Sequence, residues 1–346
     1  MEKINLPEYL QRAAKIRINE ELYNKCALRG WSLTELLEEM NPSETGDVLD
    51  AFERQLKLRN IKIAGEGADV IERFFASNDN KVLFPEFISR QIRFGIDQYN
   101  KLGHVIATRT KINDDTYKTL YLSNAEAEKQ LAKSAEGAEL PAVEMKTSEH
   151  TLKVYKYGRY LETTYEAIRR KKANVVVVFL RAIGIQIAQD KFADAVDVAI
   201  NGDGNNNAAA VINTASSGTL TYADLVNFWL CTDPYTMNVM VVNKETAQTL
   251  LTLAEFKDPE VGQSFLTKGE LITPLGCKLL VDESVPADKV LGLDNRYAIE
   301  EVFETNLITE AEKLIRKQIE GTAVSEVAGF GKLFNDATKV LDVTWS

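Results

Sequence analysis

The chain is 346 residues long, 45% hydrophobic and 27% charged, with a formal net charge of -10. These proportions suit a folded protein with room for two or three structural units, and they exclude a disordered or fibrous chain. The acidic balance excludes a strongly basic nucleic-acid binder, because phosphate contacts need clustered Lys and Arg; an acidic surface that lines DNA without gripping it stays compatible. Cys26, Cys231 and Cys277 lie far apart and in no metal-ligand spacing, so they read as reduced, buried thiols. The first residues carry no apolar signal core, and no run approaches the ~18 apolar residues of a membrane span. The expected setting is a reducing, aqueous compartment.

Residues 1 to about 64 read as short helices. Leu6, Leu10, Ala13, Ala14 and Ile18 recur at helical spacing, followed by Leu22 to Leu28. Ser32 is placed to cap a helix over Leu33 to Met40, with Glu35 completing a capping box. Asn41-Pro42-Ser43 breaks the pattern, and Val48 to Leu58 resumes it. Charges nearly balance and the apolar stripes are modest, so this module is expected to need a partner surface. A looser stretch with Gly65 and Gly67 leads to VLFPEFISRQIRFG (82–95). Pro85 interrupts that segment, which reads as an extended arm leading into a short helix; an ordinary linker strand laid across its own core is the alternative.

DTYKTLYLS (115–123) and HTLKVYKYGRYLE (150–162) alternate apolar and polar residues, the period of a half-exposed strand. Between them, residues 123–149 are rich in Ala, Glu and Lys and bury too little to fold alone. The pattern predicts a hairpin whose long polar tip is ordered by something outside the chain; a plain surface loop is the alternative. TTYEAIRR (163–170) reads as a short helix capped by Thr163 or Thr164.

The chain is organised around ANVVVVFLRAIGIQIAQDKFADAVDVAINGDG (173–204). From Ile185 onward the apolar residues Ala188, Phe192, Ala195, Val196 and Ala199 fall three and four apart. Gln186, Gln189, Asp190, Asp194 and Asp197 take the other side. Gly202 and Gly204 supply the left-handed positions that end a helix. A helix of roughly 28 residues, about 40 Å long, follows from a rise of 1.5 Å per residue. It is too long for an ordinary compact core and is expected to act as a spine. Residues 205–218 read as a connection.

Residues 219–306 read as a separate α/β unit. Leu225 to Leu230 and Lys244 to Leu253 are helical, and 237–243, 277–285, 289–294 and Tyr297 to Phe303 are strands. Residues 307–346 read as strands broken by Gly321, Gly329 and Gly331, returning to a sheet beside the spine.

No catalytic constellation emerges. The only histidines, His104 and His150, flank the hairpin, and no nucleophile elbow or phosphate loop is present. Asp203-Gly204-Asn205-Asn206-Asn207 opens like a calcium loop, yet Ala208 stands where glycine is needed and Thr214 where a bidentate Glu is needed, which favours a plain turn. The basic run Arg169-Arg170-Lys171-Lys172 reads as a solvated helix end or a salt bridge to a neighbouring subunit. Met145, Tyr117, Tyr121, Tyr155, Tyr157 and Tyr160 read as sheet-face packing.

The order of parts resembles the major capsid proteins of tailed bacteriophages, whose fold is the Hong Kong 97 type. AEGAELPAVEMKTSEHTLKVYKYGRYLETTYEAIRR (135–170) is similar to the family's extended loop, with its EGA-x-x-P element, and to the strand and short helix before the spine. INGDG (200–204) is similar to the spine's end. The resemblance spans roughly residues 67–346. It implies an α+β fold with an N-arm at 67–103, an E-loop hairpin at 104–160, and a P-domain at 161–218 with returning strands at 307–346. It places an A-domain at 219–306, and it implies a scaffold-like role for the helical module at 1–66, a segment that a protease removes in some relatives.

The implied function is a self-assembling icosahedral or prolate shell, built from pentamers and hexamers around the phage genome. The implied partners are other copies of itself, a portal, a scaffold or protease, decoration proteins and packaged double-stranded DNA held non-specifically, with no membrane. The implied location is the virion, after assembly in the host bacterial cytoplasm. Neither enzyme activity nor a catalytic residue, cofactor or metal is implied. Some relatives lock the shell by joining a loop lysine to a neighbour's asparagine. Here the candidates are Lys129 or Lys133 with Asn335, and Glu320 or Glu326 as base. The polar AEKQLAKSAEG offers no dry pocket to neutralise a lysine, so a non-covalent shell is expected. An encapsulin-type cargo compartment and an intracellular enzyme of unknown type are the alternatives.

Overall fold

The computed structural model describes residues 8–99, 101–113, 116–122, 145–164, 170–257, 271–314 and 319–345. The chain forms two compact units: one of Met1–Tyr99, Lys156–Ala188 and Thr305–Val327, the other of Asn100–Tyr155, Gln189–Glu304 and Ala328–Ser346.

The first unit opens with α1 (Glu8–Ala14), α2 (Glu21–Arg29), α3 (Leu33–Met40) and α4 (Ala51–Leu58). Ser32 and Asp50 cap α3 and α4, each in a capping box closed by Glu35 and Glu53 respectively. The box at Asp50 starts α4 three residues later than the apolar pattern suggests. Buried Arg54 holds the loop between these helices, reaching Asp47 Oδ2 at 3.0 Å and the Asn41 carbonyl at 2.6 Å.

The predicted extended arm is instead one helix, α5 (Asn78–Gln98), with Pro85 inside it. Ser77 caps it, and Val82, Leu83, Phe84, Phe87, Ile88 and Ile92 are all buried. An interior proline costs ~3 kcal/mol or more. Aromatic packing of Phe74 against Phe84 and Phe87, at 5.5 and 5.1 Å between centroids, together with the burial of that stripe, outweighs it.

The spine helix, α6 (Ala173–Asn201), is 29 residues long, and its residues divide between the two units. Ala188, Phe192, Ala195, Val196 and Ala199 are buried as the spacing predicts. Its end is set by Gly202 and Gly204, at φ +85 and +94.

In the second unit, β5 (Ala210–Asn213), β6 (Val239–Val242), β7 (Lys278–Val281), β8 (Lys289–Leu293) and β11 (Thr338–Asp342) form a sheet ordered β5-β11-β8-β6-β7. With α7 (Tyr222–Leu230) and α8 (Lys244–Thr252) it encloses a core of Leu225, Phe228, Met240, Leu250, Val290 and Leu341. The stretch read as a connection therefore supplies strand β5. Likewise β11 joins this sheet by pairing parallel to β5 and antiparallel to β8, instead of returning to one beside the spine.

A four-stranded sheet has the order β1-β9-β10-β4, from β1 (Ile106–Lys111), β4 (Tyr155–Thr164), β9 (Ile299–Leu314) and β10 (Ile319–Lys332). Gly321, Gly329 and Gly331 lie inside β10 and do not break it. At Gly321 a Cβ would overlap the Tyr160 ring, so the residue is small because the neighbouring strand's side chain crosses it. β2 (Leu120–Leu122) pairs antiparallel with β3 (Met145–Thr147), and Tyr117 bridges to Leu152. The hairpin is therefore present, but its second arm begins at Met145. Residues 155–164 go to the larger sheet, so Thr163 and Thr164 end a strand; the short helix expected after them falls on residues 165–169, which lie outside those described.

Candidate assembly surfaces

Four places in this chain decide how its parts are held together and which faces stay uncovered. The first is the seat of the N-terminal module on α5. The four amides that open α3 all find acceptors: Leu33 N–H and Thr34 N–H donate to the Glu86 carboxylate at 3.2 and 3.3 Å, Glu35 N–H donates to Ser32 Oγ at 3.2 Å, and Leu36 N–H donates to the Ser32 carbonyl at 3.1 Å. The Thr34 hydroxyl adds a further bond to Glu86 at 2.6 Å.

One turn on, Arg90 pairs with Asp50, the cap of α4, and lies over the Phe52 ring at 5.1 Å. The Tyr23 hydroxyl donates to the Val82 carbonyl at 2.7 Å and accepts from Glu86 N–H at 3.2 Å, bridging peptide groups beside Pro85. Burial pushes the Glu86 carboxyl above its ordinary value, against the pull of Thr34, Arg93 and Arg90. The Tyr23 phenol is also raised, by burial first and by Glu86 second. Glu86 and Arg90 are therefore the partner surface the module needs, and the arm reading missed them. Their i, i+4 spacing on a helix was the available signal, hidden by Pro85.

The second place is the start of the spine. Ile71 N–H donates to the Lys171 carbonyl at 2.9 Å, and Ala173 N–H to Asp69 at 2.8 Å, fixing where α6 begins. α5 and α6 approach so closely that a Cβ on Gly95 would overlap the Arg181 carbonyl, and one on Gly184 the Ile92 carbonyl. Arg181 lies over Phe94 at 4.0 Å and donates to Gln91 at 3.1 Å. On the face that remains, Val175, Val178 and Phe179 are 46%, 65% and 67% exposed, an apolar row at helical spacing. Arg170, Lys171 and Lys172 are exposed beside it, as a solvated helix end would be, and Arg169 lies outside the described residues.

The third is the spine's end, where NGDG folds into a clasped loop. Asp203 Oδ1 accepts from Asn205, Asn207 Oδ1 accepts from Asp203 N–H at 3.0 Å, and Asp203 Oδ2 accepts from Lys332 N–H at 3.1 Å. The Lys332 ammonium, on β10 and 3% exposed, donates to the carbonyls of Ala199 and Asn207 at 3.1 and 2.9 Å and to Asn335 Oδ1 at 3.2 Å. Burial lowers its pKa to about 7, with Lys339 adding to the shift and Asp203 and Asp336 opposing it. Higher on the spine, Lys191 pairs with Glu301 of β9 at 2.8 Å, and Arg109 of β1 reaches the same carboxylate at 3.0 Å.

The fourth is the hairpin's root. Ile112, Leu152 and Val302 form a small core with Tyr117 and Val154. Tyr117 and Thr110 both donate to buried Glu300, and burial followed by that bond pushes the phenol up to about 12.

Of the residues weighed as a crosslink, Lys129 and Lys133 lie outside the described residues. Asn335 is held by Lys332, Glu326 is buried, and Glu320 lies in β10. Asp203–Asn207 forms the hydrogen-bonded turn just described, and among the described residues no group of His, Cys, Asp or Glu is placed to hold a metal. His150 N–H donates to Asn205 at 2.9 Å, and His104 meets Lys278 Nζ at 3.1 Å. Tyr157 is buried in the sheet face, but Tyr155 and Tyr160 are about half exposed, and the side chains of Met145 and Tyr121 lie outside the described set. Cys26 and Cys277 are buried and pushed up to about 11 by burial, whereas Cys231, at the frayed end of α7, is exposed. No helix among the described residues is long and apolar enough to cross a membrane.

The sequence profile of the phage capsid protein family matches residues 148–340, more than half of the chain. The chain belongs to that family. This capsid protein is similar in structure to the capsid of a native GTA particle, with a TM-score of 0.53 and 14% identity over 71% of this chain and 91% of that one. The capsid of an empty GTA particle gives 0.51 and 14% over 71% and 90%. A virus-like particle from Pyrococcus furiosus gives 0.49 and 14% over 74% and 98%. No curated protein matches the capsid protein's sequence. The fold is the α+β Hong Kong 97 type, and the function is that of a tailed-phage major capsid protein, which forms the shell.

Proposed function

We propose that the chain tiles pentamers and hexamers of an icosahedral or prolate shell around packaged double-stranded DNA, assembled in the host bacterial cytoplasm. The observation that carries this reading is the row Val175, Val178 and Phe179, large apolar side chains left exposed near the start of the spine; such a row on a shell protein is a surface that a neighbouring copy covers. In this scheme residues 1–66 guide assembly, 67–103 form the N-arm and 104–160 the E-loop. The P-domain is 161–218 with 307–346, and 219–306 is the A-domain at the symmetry axes. Repetition over a closed shell multiplies weak contacts. The net charge of -10 keeps the interior from sticking to packed DNA. Portal, scaffold or protease, and decoration proteins complete the particle; the chain's own role is structural and not catalytic.

Electron microscopy of the purified chain, expressed alone and with its scaffold and protease, tests this. Shells or capsomers are expected, and a monodisperse monomer under every condition refutes it. Isolated particles filled with protein cargo in place of DNA would favour an encapsulin-type shell. Boiled mature particles are expected to run as one band at the monomer mass or that of a clipped product, since the shell is held non-covalently; ladders would overturn that part.

A further inference from the structure

The turn between α1 and α2, with the end of α3, forms an open cleft of about 460 Å³ in the N-terminal module. Arg12, Lys15, Arg17 and Lys25 line it, against the single carboxylate of Glu21. Glu21 is engaged by Asn19 Nδ2 at 3.1 Å, and Arg12 by Glu44 at 2.6 Å. Lys15, Arg17 and Lys25 are exposed and have no ion-pair partner among the described residues. Between the cations the wall is aliphatic: Ile16, Leu22, Met40 and Pro42. Asn41 also lines the cleft. It is 3% exposed, and neither the nitrogen nor the oxygen of its side-chain amide, both shut off from solvent, has a hydrogen-bond partner among the described residues.

This combination selects a ligand class. Three unpaired cations around one cleft, on a chain of net charge -10, attract a flexible anion locally while the molecule as a whole repels an extended polyanion. No aromatic side chain lines the cleft, so a nucleic-acid base has nothing to stack on. Met and aliphatic walls instead adapt to an apolar side chain. The geometry points to a docking site for an acidic peptide segment with one apolar anchor side chain, presented by a partner protein of the shell. The inference rests on the assembly role proposed above and adds the chemistry of one contact. Binding at a single site of this size is weak, and the many copies in a shell make it effective.

The test uses the full-length, unassembled chain and a fluorescently labelled glutamate-rich peptide with one central leucine, followed by anisotropy. Saturable binding is expected, weakening with salt and falling roughly tenfold or more in Lys15→Glu with Lys25→Glu. Lys15→Gln with Lys25→Gln is the milder second variant, and circular dichroism verifies that both fold. Equal binding of an all-glutamate peptide overturns the apolar anchor. Tighter binding of a DNA oligonucleotide overturns the peptide class, and undiminished binding in both variants overturns the site. Shells that form normally while the peptide fails to bind would sink this inference alone; a chain that never assembles would sink the function reading.

Discussion

Glu86 offers the sharpest test of how the N-terminal module is held. Glu86→Ala removes the acceptor for two opening amides of α3 and for the Thr34 hydroxyl, all in a place only 3% exposed. Each buried donor left unmet costs ~1–3 kcal/mol, and loss of a helix cap typically about 1 kcal/mol. Relief of a buried carboxylate offsets part of this, because burying an unpaired charge costs several kcal/mol. The net expectation is a loss of about 2–4 kcal/mol, local to α2, α3 and α5. Glu86→Gln keeps one carbonyl oxygen but turns an amide N–H towards a donor, so its cost is nearer ~1 kcal/mol.

The readouts are urea unfolding and hydrogen exchange of the unassembled chain. Exchange over Leu33–Met40 is expected to quicken markedly in Glu86→Ala and slightly in Glu86→Gln. The carboxyl's raised folded pKa means the folded chain keeps this proton to higher pH than the unfolded chain. Its contribution is therefore fully present below the ordinary carboxylate value and is lost as pH rises through the folded one. Glu86→Gln should flatten that part of the pH profile. Unchanged exchange over α3 in Glu86→Ala would refute the claim that this carboxylate holds the module.

Glu301→Gln takes the shared carboxylate from both Lys191 and Arg109 and is expected to cost about 3–5 kcal/mol in thermal unfolding, whereas Lys191→Met leaves Glu301 paired with Arg109 and should cost less; equal losses would mean that Arg109 does not hold the carboxylate. Val178→Lys with Phe179→Lys should leave monomer unfolding within about 0.5 kcal/mol and abolish shells in sedimentation, and normal shells would remove this row from the assembly surface. Lys332 has a folded pKa of about 7, below its unfolded value, so the unfolded chain binds the extra proton between the two and stability should rise with pH across that window. Lys332→Met should erase that rise in pH-dependent denaturation; an identical slope in both chains would show that Lys332 stays charged.

What could be read in advance follows the range of the interactions. The capping box at Ser32 and the end of the spine at Gly202 are local: the residues that decide them lie within four positions of one another. The same holds for the apolar spacing from Ala188 to Ala199 and for the helices and short strands of the α/β unit. Where the reading went astray, the deciding partner was distant. β5 and β11 are short, and each becomes a strand by pairing with the other across more than a hundred residues. β10 looked broken at Gly321 because nothing nearby in sequence says that Tyr160 occupies the space a side chain would need.

The arm shows the same limit most plainly, and it bears on function. Proline is a strong local signal, and locally it argues against a helix through 82–95. The opposing forces come from elsewhere in the chain: Tyr23 bridges the peptide groups beside Pro85, Phe74 packs under the aromatic stripe, and α3 hands its bare amides to Glu86. The Tyr23 bridge and the α3 amides are available only if the N-terminal module is present. Helix α5 and the module therefore stabilise one another, and neither sequence is self-sufficient. The module is held by buried hydrogen bonds together with buried apolar side chains on both sides.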